Sequence, residues 1–291
     1  MYEISAFYHM DTCTNTFLVI DQAQQDCILI DPVLDFCPQT MTVWSDAIDH
    51  ILKIIAAKQL KLHAVLETHV HADHFTAASY IKKKHPSITV AISHQVSKVA
   101  QSMVAFLNLG HEYQNVEKYF DHLIQPHEQL QYGRLNITAL ATPGHTPACM
   151  SFVMDDQKAA FTGDAIFMPD CGTGRCDFPG GSGQDLYTSI TQQLYTLPAE
   201  TKLYPGHDYP NGKGRPWSFA STVAEQRKHN IQLTQETSES QYTKFRSERD
   251  QELSLPRLMI PALQVNLLGG ALPTSSEAGL AMLKMPVQWK S

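Results

Sequence analysis

The sequence predicts an α/β protein with sheets covered by helices, and three observations lead there. Apolar, strand-like runs alternate with amphipathic helical runs in two successive groups, a pattern that packs helices outside sheets. Four strand-like runs end in a His or Asp beside a glycine or a turn, which gathers polar side chains at one sheet edge, where loops build sites. The chain has 291 residues and is 43% hydrophobic, enough for one large core or two small ones.

The elements follow in order. Ile4–Tyr8, Asn15–Ile20 and Cys27–Ile30 read as antiparallel strands separated by polar breaks. Asp31-Pro32 closes the third, because proline cannot continue a ladder. Ile48, Ile51, Leu52 and Ile55 share one face of a helix running from about Trp44 to Lys58. A strand over Lys61–Glu67 leads into Thr68–His74, and Phe75–Ile81 reads as the start of a helix that ends near His85-Pro86. Ile88–Ile92 is a short β-branched strand, and Gln95–Leu107 a helix closed by Gly110. Leu135–Leu140 alternates as a strand into Thr142–Pro147. Met150–Met154 and Lys158–Thr162 form a hairpin around Asp155-Asp156-Gln157 that delivers Asp164. Lys202–Tyr204 leads to His207, and beyond Pro216 a polar helix is expected from Phe219 to about Leu233.

Global properties exclude several function classes. The formal net charge of −7 argues against binding nucleic acid, which needs cations to neutralise phosphates. The most apolar late stretch, Leu258–Leu272, is broken by Pro261, Gln264, Asn266 and a glycine pair, so no membrane span is expected. No Lys or Arg precedes Lys53, unlike a signal peptide or a mitochondrial presequence, and a cytoplasmic location is the expectation. The six cysteines show neither a disulfide framework nor a Cys-x-x-Cys pair and read as free thiols.

Thr68–His74 places three imidazoles and a carboxylate within seven residues. Side chains alternate along an extended strand, so His69 and His71 can point the same way, and the turn that follows brings Asp73 and His74 back towards them. That density of ligand-type groups predicts a metal site.

Thr68-His69-Val70-His71-Ala72-Asp73-His74, Thr142-Pro143-Gly144-His145-Thr146, Thr162-Gly163-Asp164-Ala165-Ile166-Phe167 and Tyr204-Pro205-Gly206-His207-Asp208-Tyr209 together resemble the signature series of the metallo-β-lactamase superfamily. The resemblance implies an αββα sandwich of two mixed β-sheets flanked by helices, with a metal site along one sheet edge. It implies a catalytic domain over residues 1–235, and leaves 236–291 as a C-terminal extension packed on the core or at a homodimer interface. His69, His71, Asp73, His74, His145, Asp164 and His207 could then hold two metals bridged by Asp164.

A finer resemblance lies in Asp170–Ser182, in Thr222–Arg227 with Asn230, and in Pro261–Asn266, which are similar to the persulfide dioxygenase branch, a relative of glyoxalase II. Thr76-Ala77 and Asp208-Tyr209 stand where glyoxalase II usually carries a glycine pair and Glu-Tyr. The branch implies one Fe(II) held by His69, His145 and Asp164. His71, Asp73, His74 and His207 then orient those ligands or hold a second metal. It further implies O2-dependent oxidation of glutathione persulfide, or a related small persulfide, to sulfite and free thiol in sulfide detoxification. The alternative is a glyoxalase II-like dinuclear metal thioester hydrolase, and zinc, one or two ions, is the alternative to iron. For the carboxylates of glutathione, Arg175 and Arg215 offer planar guanidinium groups and Tyr209 a hydroxyl. An ion pair of Arg175 with Asp177 or Asp170, a solvated loop charge at Arg215, and core packing of the Tyr209 ring are the plainer roles. Cys171 and Cys176 are either sulfur carriers or ordinary loop thiols.

Overall fold

The structure is a computed structural model that describes residues 1–210, 212, 214–273 and 280–287. The central strands of its first sheet are buried along their whole length, because both faces of the sheet are covered. The strands are β1 (Tyr2–His9), β2 (Thr14–Asp21), β3 (Asp26–Ile30), β6 (Lys61–Leu66), β8 (Thr89–Ser93) and β9 (His122–Ile124), in that spatial order. β1, β2 and β3 pair antiparallel, whereas β3, β6, β8 and β9 run parallel. The second sheet runs in sequence order through β10 (Gln129–Tyr132), β11 (Leu135–Ala141), β12 (Met150–Met154), β13 (Ala159–Gly163), β14 (Lys202–Pro205) and β15 (Ser221–Thr222). Only its β13–β14 pair is parallel.

The period of two decides which side chains meet. Phe17, Val19, Ile28 and Ile30 point inward against Ile137, Phe152, Phe161 and Tyr204 of the second sheet. Their neighbours Leu18, Ile20, Cys27 and Leu29 point outward, where helices α1 (Asp46–Ala57), α2 (Ala78–Lys84), α3 (Val96–Leu107) and α7 (Met259–Asn266) cover them. The outer face of the second sheet is covered by α4 (Gly183–Ser189), α5 (Val223–His229) and α6 (Glu239–Gln251), with Leu186, Val223 and Tyr242 buried against Ala160 and Leu203. The layers are therefore helix, sheet, sheet, helix, the sandwich that the motif series implied.

Two expectations are corrected. Phe75–Ile81 does not start as a helix: Phe75–Thr76 form β7, which joins β4 (Val33–Cys37) and β5 (Thr42–Trp44) in a small third sheet. The Thr76 and Ala77 amides donate to Asn266 Oδ1 at 2.9 Å and to the Pro32 carbonyl at 2.8 Å, so α2 begins only at Ala78. The helix expected over Phe219–Leu233 is confined to α5. Residues 221–222 pair with β14, and the Thr222–Glu225 capping box fixes the helix start.

The chain after residue 235 divides between the two outer layers. α6 lies over the second sheet through Tyr242, while Leu258–Leu268 sinks into the core outside the first sheet. Residues 274–279 and 288–291 of this extension lie outside the described residues. Among those described, no helix is long and apolar enough to cross a membrane.

Candidate metal centre

The Thr68–His74 cluster begins two residues after β6 ends, and a buried carboxylate sets its path. Asp31 accepts from the Thr68 amide at 2.8 Å and from its hydroxyl at 2.7 Å. With that hydroxyl hydrogen committed, the Thr68 oxygen accepts from His69 Nδ1 at 3.0 Å, which leaves His69 Nε2 as a lone pair. His145 Nδ1 donates to the Arg175 carbonyl at 2.7 Å, and His207 Nδ1 to the Cys13 carbonyl at 3.1 Å. In each imidazole the outer nitrogen is tied to an acceptor and Nε2 is left for the interior, the usual support for a metal-binding histidine.

These nitrogens converge on Asp164. Its Oδ2 lies 3.9 Å from His69 Nε2 and 3.6 Å from His145 Nε2, and its Oδ1 lies 3.4 Å from His207 Nε2. One ligand atom each from His69, His145 and Asp164 falls within 4.8 Å of the others. His71, Asp73 and His74 form a second such group, and Asp31, Glu67 and His71 a third. Asp73 reaches both sides, 3.4 Å from His74 Nδ1 and 3.3 Å from His207 Nε2. His71 Nε2 sits 3.1 Å from Asp31 and 3.2 Å from Glu67, whose other oxygen accepts from the Thr76 hydroxyl.

The chemistry of this donor set fits a cation. His69 Nε2, His74 Nε2, Asp73 Oδ2 and Asp164 Oδ1 are all buried without a hydrogen-bond partner. Each such atom costs about 1–3 kcal/mol unless something satisfies it, and here they are gathered in one place. Burial, reinforced by the neighbouring His71, holds the His69 imidazole well below its ordinary value and hence neutral, the form that ligates. Burial also brings His74 down to about 4. Burial opposes the charge on Asp73, but the facing His207 and His74 outweigh it and keep the carboxylate ionised.

Contacts from outside the motifs hold this arrangement. The Asn15 amide donates to the Gly206 carbonyl at 2.7 Å and its side chain to the Pro205 carbonyl at 3.0 Å, stitching the start of β2 to the end of β14. From α7, Asn266 Nδ2 donates to the carbonyls of His71 and His74, both at 2.7 Å. A Cβ at Gly174 would lie 2.0 Å from the Asp164 carbonyl oxygen, so only glycine lets the 170–182 loop lie this close to the ligand.

A cavity of about 410 Å³ opens onto the cluster. His145, Asp164, Asp73 and His207 reach its wall, with Phe167, Phe178 and Tyr209 supplying aromatic surface. The structure brings Tyr209 here, its ring parallel to that of His207 with centroids 5.7 Å apart. Arg175 also lines the cavity, but Nε and Nη2 donate to Asp177, each at 2.6 Å, and Nη1 donates to the Ser254 carbonyl at 2.7 Å. Arg215 is gripped by Asp170 and Asp208 at 2.6–2.8 Å and is absent from the cavity lining. Cys171 lines the cavity, whereas Cys176 is buried, with its thiol pushed up by burial. None of the six cysteines is in a disulfide.

Sequence reasoning missed the residues that act at long range. In the sequence Asp31 marks no more than a strand end and Asn266 no more than a place in a late segment. Arg246 and Arg249 of α6, both on the cavity wall, lie in a stretch that reads as generic charged helix.

Comparison with known proteins agrees on the superfamily and gives relatives with both hydrolase and dioxygenase names. The family profile described as the metallo-beta-lactamase superfamily matches residues 12–207. A Burkholderia pseudomallei protein named as a probable metallo-hydrolase is 39% identical, over 98% of each chain. The mouse mitochondrial persulfide dioxygenase ETHE1 is 34% identical, over 77% of this chain and 72% of its own. The crystal structure of ETHE1 from Myxococcus xanthus superposes with a TM-score of 0.72 at 30% identity, covering 92% of this chain and all of that one (100%).

Proposed function

The chain belongs to the metallo-β-lactamase superfamily, and within it we propose a persulfide dioxygenase that uses O2 to oxidise glutathione persulfide, or a related small persulfide, to sulfite and free thiol. The observation that carries the reading is the compact group His69, His145 and Asp164, with His145 and Asp164 on the wall of a cavity of about 410 Å³. That volume lies within the range of about 300–1,000 Å³ typical of small-molecule sites. Two imidazoles and one carboxylate are the donor set expected of non-haem Fe(II) oxygenases, and these three residues would hold the ion. When bound there, Fe(II) would supply the redox chemistry that lets a sulfur substrate react with O2.

The chain's own residues then have distinct tasks. Thr68 and the Arg175 carbonyl fix the tautomers of His69 and His145. Phe178 packs edge-on against His145 with centroids 5.1 Å apart and keeps water from that side, as Phe167 does beside His207. Tyr209 places its hydroxyl-bearing ring on the cavity wall, where it can hydrogen-bond a polar part of the substrate. Asp73, His74 and His207 orient the ligands through the contacts around Asp73 and Asp164, and His71, held by Asp31 and Glu67, does so by packing its ring between those of His69 and His74. A cytoplasmic location and a role in sulfide detoxification belong to the same reading.

One observation favours a second reading: His71, Asp73 and His74 form a further ligand-type group beside the first. Two metals held there would suit a thioester hydrolase of glyoxalase II type. The test is anaerobic purification, measurement of bound metal, and parallel assays of O2 uptake with glutathione persulfide and of hydrolysis with a glutathione thioester. Iron with O2 uptake supports the dioxygenase. Zinc or paired metals with thioester turnover and no O2 uptake would replace it with the hydrolase.

A further inference from the structure

We propose that Asp35, acting through His9, Thr12 and Thr14, places the ring hydrogen of His74 on Nδ1 and so leaves its Nε2 free to take a cation together with His71 and Asp73. Asp35 is then a positioning residue for the second group of ligand-type side chains. The proposal rests on the metal centre in the reading above, and on neither of the two reactions.

The relay runs along the turn that joins the first two strands. His9 ends β1 and Thr14 begins β2. The chain reverses there with Cys13 at a φ of 58°, and the two hydroxyls that flank it, of Thr12 and Thr14, meet at 2.8 Å. His9 Nδ1 lies 2.8 Å from Thr12 Oγ1, and Thr14 Oγ1 lies 3.3 Å from His74 Nδ1. At the far end His9 Nε2 is 3.2 Å from Oδ1 of Asp35, in β4. The other oxygen of Asp35 accepts from the Ala47 amide at 2.9 Å, in the first turn of α1. Thr14, Asp35 and His74 are all buried, so bulk water does not stand in for a missing partner. His9 and Asp35 lie outside the four motifs.

One polarity satisfies every member. A carboxylate only accepts, so His9 Nε2 carries the hydrogen given to Asp35 and His9 Nδ1 keeps its lone pair. That lone pair takes the Thr12 hydroxyl hydrogen, the Thr12 oxygen takes the hydrogen of Thr14, and the Thr14 oxygen is left to accept from His74 Nδ1. A neutral imidazole has one ring hydrogen, so Nε2 of His74, buried without a hydrogen-bond partner, is a lone pair. Asp73 Oδ1, 3.4 Å from the same Nδ1, favours the same tautomer, and Asp73 Oδ2 is likewise unpartnered. Asp35→Asn reverses the relay at its origin. The Ala47 amide still needs the side-chain oxygen, so the new amide nitrogen faces His9 Nε2 and makes it an acceptor. His9 Nδ1 then donates to Thr12 and Thr12 to Thr14, and the Thr14 hydrogen competes for His74 Nδ1.

The test uses the full chain, stripped of metal, as wild type, Asp35→Asn, Thr12→Val and the double variant. Heteronuclear NMR of the histidine rings reads the tautomer of His74, and stepwise calorimetric titration with zinc reads a first and a second cation separately. Wild type should show the His74 hydrogen at Nδ1 and two successive zinc events. In Asp35→Asn the Nε2–H tautomer should appear and affinity for the second zinc should fall about 10- to 100-fold, the usual effect of losing a group that orients a ligand, with the first unchanged. Thr12 is only partly buried, so Thr12→Val should fold normally and weaken the second zinc as well. Adding Asp35→Asn to it should change nothing further, because the relay is already cut. The inference is overturned if wild-type His74 carries its hydrogen at Nε2, if wild type takes a single zinc, if Asp35→Asn leaves both readouts unmoved, if both zinc events weaken alike, or if the two substitutions add. No persulfide or thioester enters these measurements. A protein with the expected zinc and NMR results but no O2 uptake would keep this inference and lose only the dioxygenase reading.

Discussion

Asp164 stands where the ligand groups meet, with one oxygen towards His69 and His145 and the other towards His207. That geometry separates the roles of neighbouring histidines. On the proposed assignment, His145→Ala should strip the bound metal and abolish the proposed O2 uptake together, whereas His74→Ala should leave metal content near wild type and lower only the rate. Metal analysis of the two purified variants checks this, and equal metal loss in both would add His74 to the residues that hold the ion. At this scale the sequence is explicit about identity and silent about commitment. His69, His145, Asp164 and His207 announce themselves through their motifs. That Arg215 is held by Asp170 and Asp208, and His71 by Asp31 and Glu67, depends on partners up to 45 residues away.

At the scale of elements, α7 and α6 do more than cover the sheets. α7 supplies Asn266, whose single side chain bonds two carbonyls and one amide of the 71–76 segment. Asn266→Leu would leave those buried groups unpaired, at about 1–3 kcal/mol each, so stability should drop by at least about 3 kcal/mol and metal content with it. Urea unfolding and metal analysis read both. Thr222→Ala, which removes the α5 cap, should cost about 1 kcal/mol and leave metal content alone. α6 cradles the 170–182 loop: Asp250 accepts from the Cys176 amide at 2.9 Å, and Tyr242 hydrogen-bonds Thr173 at 2.7 Å. Elements with strong periodicity were legible to within two residues, as α1 and α3 show, because their own apolar faces define them. β4, β5, β7 and β10 were not, since each is short and exists only through partners that local pattern does not name.

For the whole molecule, the candidate ligand residues come from both sheets, with His69 following β6 and Asp164 and His207 following β13 and β14. A bound metal that the unfolded chain does not hold adds directly to folding free energy, about 4 kcal/mol when its free concentration is a thousand times its Kd. Chelation should therefore lower the Tm of the wild type, and should leave that of Asp164→Asn unmoved, because little metal is held there to remove; differential scanning calorimetry with and without chelator checks both. The layer order was legible from the motif series. The third sheet and the division of the C-terminal extension between two layers were not, since both arise from contacts across the fold. The hydrogen bonds of Asn15 to Pro205 and Gly206 join the two sheets at the edge that bears the ligands. Cutting the chain in the turn between β9 and β10 would give one fragment with His69 and another with His145 and Asp164, neither owning the full set. Mixed together, such fragments should recover metal uptake only as they reassociate, turning the seam between the sheets into a reporter of complementation.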